Sequence, residues 1–114
     1  MEIKIKGITL SLDLYGLRTE MIYENKFNKS LDLVNMTTKT IGDLFYCVVL
    51  ANLEKKKLEP ITEEDFLAAI EDENEGDMTL MSFWIWYVKV KQAQNDLLFK
   101  ELELDEPKKN QTKQ

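Results

Sequence analysis

The chain of 114 residues has no histidine and a single cysteine. Without an imidazole there is no ready general base to activate a nucleophile, and the several Cys or His ligands of a zinc-type site cannot be assembled. One cysteine also rules out an internal disulfide framework. Cys47 sits in the apolar run Leu44-Phe45-Tyr46-Cys47-Val48-Val49-Leu50, where a thiol acts as a small buried hydrophobe. The four glycines, Gly7, Gly16, Gly42 and Gly76, are scattered, so no phosphate-cradling loop is present. No apolar run approaches the roughly 20 residues needed to cross a bilayer. The start, Met1-Glu2-Ile3-Lys4-Ile5-Lys6, alternates and does not lead into an apolar block, so no signal peptide is expected. These absences point to a non-enzymatic cytoplasmic chain with no cofactor, no metal and no catalytic set.

Positive charge is also scarce: 15 basic residues face 21 acidic ones, a formal net charge of −6. Such a surface repels phosphate backbones and anionic lipid, which argues against nucleic acid and membrane as partners. The one basic cluster, Lys55-Lys56-Lys57, reads as cations completing the end of a helix. The acidic stretch 71–77 can be set against a calcium loop by aligning Gly76 with its obligatory glycine. Glu71, Glu73 and Glu75 then crowd the first ligand positions, and Ser82 falls where a bidentate glutamate is needed. A solvated loop is the expectation there.

What remains is enough for one α+β domain, mainly helical, over 1–104: an N-terminal β-hairpin packed on about four helices. Hydrophobic residues make up 44% of the chain, sufficient for a single core. Ile3 and Ile5 share one parity, and Ile8, Leu10, Leu12 and Leu14 share the other. A two-residue turn at Lys6-Gly7 reconciles them, giving a hairpin over 2–14 with one apolar face. A first helix is expected over about 16–26, with Leu17, Met21 and Ile22 on its apolar side. Leu31, Leu33 and Val34 are candidate anchors in the polar stretch that follows. A second helix over 38–55 is apolar nearly all round, as a helix buried on most sides should be, and Thr40 with Asp43 resembles a capping box. Thr62 caps a third helix over 62–71, with Phe66, Leu67 and Ile70 on its apolar side. A fourth, the longest, spans 78–103. Residues 105–114 hold no apolar side chain and are expected to form a disordered polar tail.

The aromatic segment Phe83-Trp84-Ile85-Trp86-Tyr87-Val88 opens that fourth helix. Phe83, Trp86, Val90, Ala93 and Leu97 fall at spacings of three and four and form a candidate core seam. Met81, Trp84, Ile85 and Val88 point elsewhere. Either the hairpin and the second helix cover them, or a partner protein or a second copy of the chain does. Exposed Trp and Met are the residues of interface hot spots. Met81, Trp84, Ile85 and Val88 are therefore the candidate partner-binding residues, with Tyr46 and Phe66 as further choices.

The hairpin Ile3-Lys4-Ile5-Lys6-Gly7-Ile8-Thr9-Leu10, the helix Gly16-Leu17-Arg18-Thr19-Glu20-Met21-Ile22-Tyr23-Glu24, the apolar helix Asp43-Leu44-Phe45-Tyr46-Cys47-Val48-Val49-Leu50-Ala51 and the acidic Thr62-Glu63-Glu64-Asp65-Phe66 follow one another here. Together they resemble the small tail assembly chaperones of long-tailed bacteriophages and prophages, over about residues 1–100. The resemblance implies a protein that coats the helical tape-measure protein, keeps it soluble and is displaced as tail-tube subunits polymerise. It also implies binding to apolar helices and self-association. A small adaptor binding a host protein, or a structural component that stays in the tail, are the alternatives from other classes.

Overall fold

The alternation at the start of the chain closes into an antiparallel hairpin. The computed structural model describes residues 1–105. In it, β1 (Glu2–Ile5) pairs with β2 (Ile8–Ser11) in the register Ile3↔Leu10 and Ile5↔Ile8. Lys6 and Gly7 link them, both at positive φ, 51° and 80°, as a turn matched to the strand twist requires. The ladder stops at Ser11, short of the expected Leu14. The apolar alternation continues all the same, and Leu12 and Leu14 are buried. Ile8 departs from the expected apolar face and is exposed. It sits at the turn end of β2, whereas β1 is the strand that lies against the third helix.

Four helices follow: α1 (Gly16–Phe27), α2 (Thr38–Lys55), α3 (Glu63–Asp72) and α4 (Asp77–Asp105). The fold is α+β and mainly helical, as the pattern predicts. The expected tail lies, from residue 106 on, outside the described residues. The start of α2 is capped by Thr37, whose hydroxyl accepts from the Thr40 N–H at 3.1 Å. Thr40 is thus the receiving residue and not the cap, and Asp43 is drawn to Lys39 at 3.2 Å. Thr62 caps α3 in the same way, accepting from the Asp65 N–H at 3.1 Å.

Every residue of α2 from Asp43 to Leu53 is buried. The hairpin, α1, α3 and the first part of α4 wrap around it. Its Phe45 ring stacks on Phe83 of α4 at 4.2 Å and meets Phe66 of α3 edge-on at 5.1 Å. On α1 the buried face is Thr19, Ile22 and Tyr23, which corrects the expected one: Leu17 and Met21 are exposed. Tyr23 pairs with Phe27 at 4.9 Å, and two aromatic rings bury more apolar surface than Leu17 and Met21 would. Of the candidate anchors in the connection, Leu31 packs partly against the core; Leu33 and Val34 are exposed.

A two-stranded sheet is too small to be stable alone, and two asparagines hold this one in place. Asn52, fully buried on α2, accepts from the Asp13 N–H and donates to the Asp13 carbonyl, both at 2.9 Å, and donates to the Val48 carbonyl at 2.8 Å. Asn74, just past α3, treats Lys4 on the edge of β1 likewise, at 3.0 and 2.8 Å. Each amide presents to one hairpin residue the donor and acceptor that a neighbouring strand would. Beside Asn74, the Glu73 carboxylate accepts from the N–H groups of Lys6 and Gly7, both at 2.7 Å. The stretch 71–77 is therefore not a merely solvated loop: Glu73 clamps the hairpin turn and Asn74 the edge of β1.

Asn52→Ala is expected to cost about 2–4 kcal/mol in urea denaturation, since it strands the buried polar groups of Asp13 and opens a cavity. The N–H groups of Gly7 and Lys6 hold the Glu73 carboxyl below the usual carboxylate range. The unfolded chain then takes up that proton first, so the clamp stabilises the fold above the ordinary glutamate range and is lost as pH falls through it. Urea midpoints measured between neutral and acidic pH should fall less steeply in Glu73→Gln than in the wild type.

Candidate partner-binding surface

The helix α4 has two faces with different environments. Phe83 and Tyr87 are buried, and Leu80, Trp84, Trp86 and Val90 are partly buried against the core. Tyr87 completes this inner face one turn after Phe83, 5.9 Å from it. Burial, with a smaller contribution from Glu20, pushes the Tyr87 hydroxyl up to about 12. The expected core seam holds at Phe83, Trp86 and Val90 but fails beyond them: Ala93 and Leu97 are exposed. The cause is length. At 1.5 Å per residue α4 runs about 43 Å and α2 about 27 Å, so the second half of α4 outruns the body that would cover it.

The outer face carries Met78, Met81, Ile85 and Val88, which are 67%, 54%, 52% and 43% exposed. Their steps of three, four and three place them on one side of the helix. Three of the six candidate residues thus come together: Met81, Ile85 and Val88. Trp84 stands at the flank, partly buried, its ring stacked on Tyr87 at 5.8 Å. Tyr46 and Phe66 belong to the core, 5% and 1% exposed. The Tyr46 hydroxyl donates to the Ile61 carbonyl at 2.6 Å, and Phe66 fills the space between α2 and α3. Met78 is the member that sequence reasoning missed, although its spacing to Met81 continues the stripe by one turn.

The distal part of α4 exposes Leu97, Leu98, Phe99 and Leu102. Exposed apolar side chains thus recur along α4, two methionines among them. No family model, curated protein or solved structure matches the chain.

Other features offer less chemistry. A groove of about 300 Å³ lies between the start of α2, α3 and the start of α4, with Phe45, Phe66, Ile70 and Leu80 among its lining and Lys39, Asp43 and Glu63 beside them. Among the described residues no group of three His, Cys, Asp or Glu is placed to hold a metal ion. Cys47 is fully buried, and that burial, helped by Asp43, pushes its thiol up to about 12. It is protonated at neutral pH and unreactive. None of the described helices is long and apolar enough to cross a membrane.

The two faces of α4 should separate in a stability assay. Phe83→Ala is expected to cost about 3–5 kcal/mol, whereas Ile85→Ser should change the unfolding free energy by no more than about 0.5 kcal/mol. Equal losses would mean that the outer face is also part of the monomer core.

Proposed function

We propose that the protein acts by stoichiometric binding and release of a helical protein partner, and that this partner is the tape-measure protein of a long-tailed phage or prophage. The observation that carries the reading is the exposed stripe Met78, Met81, Ile85 and Val88 on a helix whose opposite side is already committed to the core. An amphipathic partner helix lays its apolar side along such a stripe at the same three-and-four spacing. The net charge of −6 keeps the loaded complex dispersed while apolar surfaces are being exchanged. The resemblance of the chain to tail assembly chaperones supplies the identity of the partner. On this reading the stripe binds the tape-measure rod until tail-tube subunits displace it.

Co-expression with a tape-measure fragment tests this directly. The fragment is expected to move from the insoluble to the soluble fraction in the presence of the wild-type protein. Met81→Asp and Ile85→Asp should each abolish that effect while leaving the circular dichroism spectrum intact. A fragment equally insoluble with and without the wild-type protein sinks the reading. Recovery of the protein in purified virions would mark it instead as a tail component.

A further inference from the structure

Gly42 lies within α2, where glycine weakens a helix relative to alanine. Gly7 and Gly76 take positive φ, but Gly42 does not. A Cβ added at Gly42 would meet nothing within 4 Å. Neither backbone geometry nor packing therefore asks for glycine there. What a Cβ would enter is the groove of about 300 Å³ between the start of α2, α3 and the start of α4, which Gly42 lines.

This groove has an apolar floor and an acidic border. Phe45, Phe66 and Ile70 form its buried floor, with Leu80 half-buried and Leu67 exposed beside them. Four carboxylates line it, those of Asp43, Glu63, Glu71 and Asp77, against one ammonium, that of Lys39. Asp43 is only 7% exposed. Among the described residues its only hydrogen-bond donor is Lys39, at 3.2 and 3.3 Å, longer than a good charged hydrogen bond. The Lys39 side chain is itself exposed and has a second seat, 5.8 Å from the centre of the Phe27 ring. The buried carboxylate thus keeps acceptor capacity for a cation that enters the groove.

We infer that the groove holds an extended basic segment of another protein, with a basic, an apolar and a second basic residue at alternate positions. The spacing follows from α3. Glu63 and Glu71 stand about 12 Å apart along that helix, and Phe66, Leu67 and Ile70 come between them in the chain. In an extended strand residues i, i+2 and i+4 point the same way, and the first and last are about 13 Å apart. Lysine or arginine at the two ends then meets Glu63 and Glu71, with Asp43 and Asp77 beside them. The middle residue lays its side chain on Phe66 and Ile70. A cavity of about 150 Å³ holds a benzene ring, so the groove takes one large apolar side chain and the stem of a basic neighbour. Gly42 lets the backbone of the segment come close to α2. A small cation with one head would engage only one end of the groove, and the same carboxylates repel a phosphate backbone. The net charge of −6 draws a basic segment in. The site uses none of Met78, Met81, Ile85 and Val88, so it stands apart from the proposed function.

The probe is the acetylated and amidated pentapeptide arginine-serine-phenylalanine-serine-arginine, titrated into the full chain with amide chemical shifts as the readout. Saturable shifts are expected at Gly42, Glu63, Leu67 and Gly76. Replacing both arginines of the peptide by glutamate should abolish them. Glu63→Gln combined with Glu71→Gln should weaken binding about tenfold. Gly42→Ala separates binding from folding: it should raise the urea midpoint, as alanine in a helix does, and yet weaken the peptide severalfold. A wild-type chain without saturable shifts overturns the inference. So does equal binding of the glutamate-ended peptide, or a Gly42→Ala chain that binds as tightly as the wild type. A Gly42→Ala chain of lowered stability overturns it as well, because the glycine would then serve the fold.

Discussion

The burial of α2 is the constraint on which the rest of the structure depends. From Asp43 to Leu53 this helix has no solvent face, so it must be covered on all sides by a chain that has few elements to spare. The hairpin, α1, α3 and α4 each give one apolar face to that task. The stacked rings of Phe45 and Phe83, with Phe66 set edge-on, join three helices at one point. Such packing is strong because aromatic rings combine large apolar area with preferred geometry. It also uses up the inner face of α4.

The covering hairpin is too small to stand alone, and polar side chains hold it to the helices. Asn52 anchors the segment after β2 and Asn74 anchors the edge of β1, each by bonding both backbone groups of one residue. Glu73 closes on the turn, and Lys6 reaches Asp65 at 2.9 Å. This exposed ion pair contributes little by itself. The amide and carboxylate bonds to backbone are different in kind, since they satisfy strand groups that have no neighbouring strand. The acidic stretch after α3 is thus built into the fold through Glu73 and Asn74.

With the inner face of α4 committed, its outer face and its overhanging second half stay exposed. Met78, Met81, Ile85 and Val88 stand on that face at steps of three and four, the spacing that the proposed function uses.

Most of the fold was legible in the chain because its elements carry strong local signals. The parity switch across Lys6-Gly7 marks the hairpin, threonines mark the starts of α2 and α3, and the all-round apolar pattern of α2 marks its burial. Local signals were weaker guides to faces. Leu17 and Met21 read as core from spacing, but Tyr23 and Phe27 took that place. Thr40 read as a cap, but Thr37 holds that role. On α4, Met81, Ile85 and Val88 were legible as residues outside the core seam, while Tyr46 and Phe66 looked as available as they did only because spacing does not tell which apolar side chains a neighbour will reach. The sequence alone determined the kinds of elements, their order and the absence of histidine chemistry, since these depend on residues near one another in the chain. Only the tertiary structure decided which side of α4 is spent on α2, that Leu97 lies beyond the core, and that Asn52, Glu73 and Asn74 clamp the hairpin. Those outcomes depend on helix lengths and on contacts between residues as much as 70 positions apart, which no local pattern encodes.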